Sequence, residues 1–269
     1  MTGERWAAPD IDAALTRCEA RNGQGIRCIL DVLGEEASEH SQADRFVDAY
    51  IALAEAVADR DLDAAVTVKP TALGAHVDTT SAERNMMRVC REVAGLGVPF
   101  EVDMEGTPLV DHTIDAVLMC VDEGLAVTLA LQAYLDRTPR DLEVVADAGV
   151  GIRLVKGAYM GDVTDHAEVQ RRLLALAEGL MARGVDFGVG THDPVLLERL
   201  TGAAEGAGAR DRMELSFLMG LADGTRERLA REGWRLAEYV PFGRDTRAYV
   251  LRRERYLKAL GHLGLAPAP

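Results

Sequence analysis

Lysine is the scarcest charged residue in this sequence: only three of the 30 basic residues are Lys, namely Lys69, Lys156 and Lys258. Arg has therefore taken almost every cationic role. Because a compact ammonium differs from a planar guanidinium in reach and geometry, a retained Lys is a candidate for a role that Arg cannot fill. An acidic, Lys-poor composition is typical of a salt-rich cytoplasm or of a GC-rich genome, and both alternatives stay open.

Cysteine pairs, metal-binding motifs and long apolar runs are also missing. The four Cys residues are scattered without a C-x-x-C pair, which argues against a disulfide framework or a zinc site and predicts buried free thiols. There is no H-E-x-x-H and the six His are far apart, so no metal site is predicted. The sequence contains no run of about 18 apolar residues, so no membrane span is predicted. The N-terminus also lacks the basic and then apolar segments of a signal peptide. These absences predict a cytoplasmic protein.

Positive charge is in deficit, with a formal net charge of −14. This argues against a nucleic-acid partner, because contact with phosphates needs basic patches. Such a surface also repels anionic lipid over its general area, although a local patch could still dock at the inner face of a membrane. Peripheral membrane contact is therefore left open.

Eight short apolar runs alternate with segments of helical periodicity, which indicates repeated βα units. The runs are Gly25–Asp31, Ala65–Lys69, Phe100–Glu105, Ala126–Gln132, Gly151–Lys156, Val185–Gly190, Met213–Phe217 and Leu236–Pro241. Eight such units predict an α/β fold of the (β/α)8 TIM-like barrel type over residues 25–260. A doubly wound sheet is the alternative, but no G-x-G-x-x-G opens a helix after a strand. Residues 1–24 are predicted to be a leader whose helix, Asp10–Arg21, covers the barrel bottom, and residues 261–269 a tail.

Polar residues collect on these runs or just after them, where barrel enzymes place their chemistry. They are Asp31, Lys69, Asp103, Glu105, Gln132, Arg153, Lys156, Thr191, His192, Glu214, Ser216 and Tyr239. Charged groups inside strands are costly unless they are paired or functional. Their number predicts a polar site at the carboxyl-terminal rim of the barrel.

The last helical stretch carries Tyr249, Arg252 and Arg253. Positions i, i+3 and i+4 share one helix face, so a phenol and two guanidiniums would project together. Paired guanidiniums bind a carboxylate or a phosphate. The alternative is a solvated helix end, where Arg is common.

Several of these segments together resemble the FAD-dependent proline dehydrogenases, in the family's order and over residues 25 to 257. They are VKPTALG (68–74), VDMEG (102–106), LQAYL (131–135), RLVKGAY (153–159), GTHDP (190–194), ELSFLMG (214–220) and YVPFG…YVLRR (239–253). The resemblance implies a distorted barrel with the last helix over its carboxyl-terminal face. It also implies a monofunctional enzyme that oxidises L-proline to Δ1-pyrroline-5-carboxylate, by hydride transfer to flavin N5, and passes the electrons to a quinone.

The resemblance assigns two sets of site residues. The substrate set is Lys69, Asp103, Ala158, Leu218, Tyr239, Tyr249, Arg252 and Arg253, in which Lys69 and the two Arg would hold the carboxylate. The FAD set is Gln132, Arg153, Val155, Lys156, Gly157, Ala158, Thr191 and His192, in which Arg153 would lie near flavin N5. The residues expected to bear on catalysis are Arg153, Lys69, Asp103 and Tyr239.

Three places on the flavin side depart from the family's pattern: Met160, the pair Ser216–Phe217, and Tyr256. Other interpretations stay open beside the first. One is a relative acting on hydroxyproline or another cyclic or N-alkylated amino acid. A Schiff-base lyase using Lys156 and a regulatory barrel without activity are the others.

Overall fold

The computed structural model describes residues 3–244, 246–262 and 264. Eight parallel strands close into a barrel in sequence order, with the first strand paired to the last. The strands are β1 Arg27–Val32, β2 Ala64–Val68, β3 Phe100–Val102, β4 Thr128–Gln132, β5 Gly151–Val155, β6 Phe187–Gly190, β7 Met213–Leu218 and β8 Arg235–Phe242. The prediction of a (β/α)8 barrel is confirmed.

Ten helices are described: two precede β1, seven separate successive strands and cover the outside of the barrel, and one follows β8. In chain order they are α1 Gly3–Trp6, α2 Ile11–Asn22, α3 His40–Asp59, α4 Thr79–Gly95, α5 Val110–Asp122, α6 Thr138–Asp147, α7 His166–Arg183, α8 Pro194–Gly206, α9 Asp223–Arg231 and α10 Arg247–His262. Two 3₁₀ turns, Thr107–Leu109 and Arg210–Arg212, complete the described elements. Of the predicted tail, only 261, 262 and 264 are described, and the first two of these belong to α10.

Local sequence explains where the helices begin and end. Asp78 and Asp193 precede α4 and α8, and their carboxylates accept hydrogen bonds from backbone N–H groups of the first turn. Gly184 ends α7 in the left-handed conformation at φ 70°, where a residue with a Cβ would be strained.

The core lies between the barrel and the helices. In α3, Val47, Tyr50, Ala54 and Val57 are buried at spacings of three and four residues, so one helix face meets the sheet. Outward-facing strand residues such as Leu30 belong to the same cluster. Full burial of an aliphatic side chain stabilises the fold by about 1.5–3 kcal/mol, so the core is the main source of stability. The four Cys are buried and free, as predicted.

Helix α2 does not cover the barrel bottom as expected. It contacts β1 and β8, and Arg17 and Arg21 on it donate to the carboxylate of Glu238 on β8, at 2.7 and 2.9 Å. Because neighbouring residues of a strand face opposite sides, Glu238 points outward while Tyr239 points into the barrel. Helix α2 therefore fills the place in the outer ring between the first and last strands.

The segment before α2 reaches the carboxyl-terminal rim, where α10 also lies. Ala8 N–H donates to the carbonyl of Pro241 at 2.8 Å. Trp6 packs in one apolar cluster with Leu33, Leu221 and Tyr249. Since α2 occupies the ring position, α10 lies across the rim, as expected for the last helix.

Membrane-spanning helices and metal-binding clusters are both absent from the described residues. Within the described ranges, no helix is long and apolar enough to cross a membrane. The same residues contain no group of three or more His, Cys, Asp or Glu side chains that could hold a metal ion.

Candidate active site

Lys69 is the centre of a buried polar cluster at the rim. It follows the last residue of β2, and its Nζ donates to Asp31 Oδ2 at 2.6 Å and to the Tyr239 hydroxyl at 3.1 Å. Its distance to Asp103 Oδ2 is 3.2 Å. The cluster forms because the neighbouring strands β8, β1, β2 and β3 end side by side, so residues distant in sequence meet at one rim.

Asp103 links Lys69 to the barrel interior. The Tyr239 hydroxyl donates to its Oδ2 at 2.6 Å, and Arg153 Nη2 donates to its Oδ1 at 2.7 Å. The Arg153 guanidinium also lies 5.7 Å from the centre of the Tyr239 ring. Arg153 is 6 % exposed, so this network operates away from bulk water.

Two carboxylates share the single ammonium, and their pKa values are shifted in opposite directions. Burial works to raise the pKa of Asp103, but Lys69 and Arg153 outweigh it and hold that pKa well below the usual range. Burial raises the pKa of Asp31 to about 6, because Lys69 offsets it only in part. Oδ1 of Asp31 has no hydrogen-bond partner among the described residues. Asp103 is thus the firmly ionised member of the pair, and Asp31 is the member whose pKa is raised.

Helix α10 turns a phenol and two guanidiniums toward the rim. Arg253 is 5 % exposed and donates to the Tyr249 hydroxyl. Arg252 forms an ion pair with Glu35 in the loop after β1 and lies 5.4 Å from the Tyr159 ring centre. Within the described part of the chain, Arg253 has no ion-pair partner. The burial of Tyr249 and Arg253 contradicts the interpretation of this stretch as a solvated helix end.

Next to the pair Arg252 and Arg253, called the clamp below, lies a second cluster, built on the ends of β5 and β6. His192 Nε2 accepts from the backbone N–H of Leu218 at 2.8 Å. Burial, with cations nearby, lowers the pKa of His192 well below its usual value, so the ring is neutral with its proton on Nδ1. Lys156 Nζ is 3.2 Å from Asp193 Oδ2 and 5.5 Å from the Tyr256 ring centre. Tyr256, one of the departures from the family pattern, thus contacts both cationic and imidazole groups.

Gln132 and Gly157 meet at Tyr134. Gln132 Nε2 donates to the Glu105 carbonyl at 2.8 Å, and its Oε1 accepts from the Tyr134 hydroxyl at 2.5 Å. Gly157 has φ +127°, and a Cβ there would lie 1.6 Å from a Tyr134 ring carbon. The aromatic ring that packs against the backbone of Gly157 is therefore that of Tyr134. Ala158, the residue after Gly157, is exposed.

The remaining predicted residues border the same region. Thr191 is buried and its Oγ1 accepts from the Asp193 backbone N–H at 3.3 Å. Val155 is half-buried at the end of β5, and Met160 is 88 % exposed. Phe217 packs edge-on against His192, with ring centres 5.9 Å apart.

Glu214 does not lie at the rim with the other polar residues. It is the second residue of β7 and accepts from Arg27, the first residue of β1, at 3.1 Å. Arg27 also donates to Glu101 at 2.9 Å, which in turn accepts from Arg153 Nε at 2.9 Å. Arg27 and Glu101 were not among the predicted site residues. Glu101 stands two residues before Asp103, and Arg27 stands four residues before Asp31. Because every second residue of a strand faces the same side, this spacing is the sequence signal that places each pair on one face of its strand.

This arrangement defines a (β/α)8 barrel with a buried, charged site at its carboxyl-terminal rim, closed by its last helix. The sequence profile of the family described as Proline dehydrogenase matches residues 14–255. The chain belongs to the proline dehydrogenase family.

Individual relatives agree with this. The chain is 31% identical over 262 residues to Proline dehydrogenase of Deinococcus radiodurans, covering 93% of this chain and 84% of the relative. It is 26% identical over 249 residues to Proline dehydrogenase 2 of Bacillus subtilis strain 168, covering 91% and 82%.

A solved structure has the same fold. Proline utilization A from Bdellovibrio bacteriovorus, inactivated by N-propargylglycine, matches 94% of this chain with a TM-score of 0.86 and 20% identity. This chain spans about a third of that protein, since the match covers 32% of it.

Proposed function

We propose that this chain oxidises L-proline to Δ1-pyrroline-5-carboxylate, with FAD as hydride acceptor and a quinone as the final electron acceptor. Family membership supports the reaction class. The observation that carries the substrate assignment is Arg253, a buried guanidinium that has no carboxylate partner in the described part of the chain. An unpaired buried cation is costly, so the position favours an anionic ligand.

The substrate carboxylate is held by Arg252, Arg253 and Lys69. Arg252 gives up Glu35 to do so, because a single guanidinium fork cannot serve both carboxylates bidentately. Each hydrogen bond to a charged group contributes about 1.5–3 kcal/mol. The clamp therefore fixes one end of the substrate and orients its ring.

Tyr239, Tyr249, Leu218 and Ala158 border the pyrrolidine ring. The two phenol rings and the Leu side chain exclude water, and Tyr239 is fixed by its hydrogen bond to Asp103. Burial and the negative charge of Asp103 raise the pKa of Tyr239 well above its usual value, so it remains a phenol. These groups orient the proline ring carbon that lies beside the nitrogen. The substrate binds with its nitrogen as the unprotonated amine.

The residues present fit a flavin. No described residue accepts from His192 Nδ1, and Arg153 Nη1 donates to none, so both donors are available beside the rim. The residues that would hold FAD are Gln132, Arg153, Val155, Lys156, Gly157, Ala158, Thr191 and His192. When bound, FAD supplies the hydride-accepting N5 atom. Arg153 would place a positive charge near the reduced ring and favour its anionic form.

The Schiff-base alternative rests on Lys156. Burial lowers the pKa of Lys156, as a nucleophilic amine requires, although Asp193 opposes the shift. Its ammonium is already placed against Asp193 and Tyr256, and the family match favours the flavin role.

The test is to purify the protein, measure its FAD content after reconstitution, and assay proline oxidation with a soluble quinone. The product is identified by mass, two hydrogens lighter than proline. A panel including hydroxyproline and N-methylglycine separates proline from related amines. A protein that neither binds FAD nor turns over proline contradicts the proposal.

A further inference from the structure

An interior layer of this barrel is charged where such barrels usually carry bulky branched apolar side chains. Arg27, Glu101, Arg153 and Glu214 lie on the four odd-numbered strands β1, β3, β5 and β7. Alternate strands supply one layer of a (β/α)8 barrel, so these four side chains form a single level, named here the charged layer.

Small neighbours make room for the charged layer. In the strand register Arg27 is opposite Ala237, and Arg153 is opposite Ala130 and Gly188. A Cβ on Gly188 would lie 3.4 Å from Arg153 Cγ, which is already tight. The even-numbered strands thus leave space that the long charged side chains fill.

Stability alone does not account for this layer. Glu101 is 2 % exposed and Arg153 6 %, and removing such ions from water costs several kcal/mol each. Replacing buried ion pairs with apolar side chains of similar volume is often neutral or stabilising. The layer therefore needs a reason other than core packing.

The reason lies in the hydrogen bonds of the charged layer, because they form a chain that connects Glu214, Arg27 and Glu101 to Arg153. Arg27 donates to Glu214 at 3.1 Å and to Glu101 Oε1 at 2.9 Å. The second oxygen of Glu101 accepts from Arg153 Nε at 2.9 Å. Arg153 Nη2 is then directed at Asp103, and Nη1 is left for a ligand at the rim.

We propose that Glu101, itself held by Arg27, is a positioning residue that fixes the Arg153 guanidinium at the flavin edge. This rests on the proposed function. Glu101 is not among the residues assigned to the substrate or to FAD, and it contacts Arg27 and Arg153. It acts by fixing two degrees of freedom of Arg153, the reach along the barrel axis and the rotation of the planar fork.

Glu101→Asp separates position from charge, because it keeps the anion but is one methylene too short to reach both Arg27 and Arg153. Positioning predicts that kcat falls about tenfold. It also predicts that the ratio of reduced to oxidised flavin affinity falls about tenfold, which lowers a two-electron midpoint potential by about 30 mV. If Glu101 acts through its charge alone, Glu101→Asp keeps the wild-type potential.

Glu238→Asp is the matched control. Glu238 is also a buried carboxylate held by arginines, Arg17 and Arg21, but it faces the outside of the barrel. We expect this variant to lose stability and to keep the wild-type potential. A shift as large as that of Glu101→Asp would mean general loosening and would overturn the inference.

A crystal structure of Glu101→Asp tests the position without any flavin. Positioning predicts that the Arg153 to Asp103 bond, 2.7 Å in the parent, is lost or displaced. An unchanged bond overturns the inference. If Glu101→Asp does not fold, Arg27→Lys decides, because it keeps the cation and loses the fork that bridges Glu101 and Glu214. A folded Arg27→Lys with unchanged potential and unchanged Arg153 geometry also overturns the inference.

The proposed function fails separately from this inference. A wild-type protein that binds no FAD contradicts the proposed function, while the crystallographic comparison still decides the role of Glu101.

Discussion

At the scale of single residues, the site combines cations that are paired within the protein with one that is not. Lys69, Arg153 and Arg252 each face a carboxylate of the protein. Arg253 contacts the Tyr249 hydroxyl, and no described carboxylate lies within ion-pair distance of it. If the proposed function holds, Arg253 is the residue whose loss should affect the substrate carboxylate most directly.

Arg253→Ala is therefore expected to lower kcat/KM for L-proline about 10- to 100-fold, mainly through KM. The reason is the loss of one charge-assisted hydrogen bond, about 1.5–3 kcal/mol. Steady-state kinetics with a soluble quinone measures it. Arg255→Ala is the control, because Arg255 is exposed on the same helix. Equal kinetics for the two variants would show that this helix face does not bind substrate.

Asp31 gives a prediction about pH. Its pKa is raised to about 6 in the folded protein, against about 3.9 in an unfolded chain. The folded state therefore binds more protons between those values. The stability contributed by protonated Asp31 is fully present below pH 4 and is lost as pH rises through 6.

The Asp31→Asn variant removes this dependence. From pH 4 to 7 the free energy of unfolding of the wild type should fall relative to the variant, by about 2 kcal/mol. Denaturant titrations at both pH values measure the difference. A constant difference between the two proteins would contradict the raised pKa.

Sequence alone predicted the residues of the rim better than those of the interior. Lys69, Asp103 and Tyr239 could be predicted because each stands at or near the end of an apolar run. Arg27, Glu101 and Glu214 were visible in the same runs, but strands of a parallel barrel are buried on both faces. Alternation shows that Arg27 and Asp31 share a face, yet it does not show which face is the interior. Glu214 was consequently placed at the rim.

At the scale of elements, α2 is part of the barrel rather than a leader. Leu15 and Cys18 on it are buried in the main core, and Glu238 of β8 is neutralised by its Arg17 and Arg21. Burial works to raise the pKa of Glu238, but these two arginines, together with Arg226 of α9, outweigh it, and the pKa is lowered.

Leu15→Ala should accordingly lower the free energy of unfolding by about 2–5 kcal/mol, as for other buried leucines. Thr16→Ala is the matched neighbour, because Thr16 is exposed on the same helix, and it should stay within about 0.5 kcal/mol of wild type. Urea unfolding compares the two. Similar stabilities of the two variants would mean that the packing of α2 against the barrel contributes little to the free energy of unfolding.

The placement of α2 could not be read from its sequence. Its apolar positions predicted a helix that buries one face, and the structure has that helix at Ile11–Asn22. Which surface it covers depends on long-range contacts: Glu238 lies 221 residues after Arg17. The same contact explains why α10 crosses the rim instead of completing the ring.

At the scale of the whole molecule, the barrel has a charged interior, and helix α10 lies across its carboxyl-terminal rim. The charged layer fixes Arg153 from below, Asp103 and Lys69 lie above it, and α10 brings Arg252 and Arg253 from the opposite side. The eight-unit pattern of the sequence was sufficient to predict this architecture. The contacts that close it, such as the one between Arg252 and Glu35, join segments that sequence spacing does not relate.

The most direct test of the central claim is an anaerobic titration of the FAD-loaded protein with L-proline, followed by flavin absorbance. The proposed function predicts that proline bleaches the oxidised flavin band, and that one product molecule appears for each flavin reduced. A band that stays oxidised at saturating L-proline would contradict it.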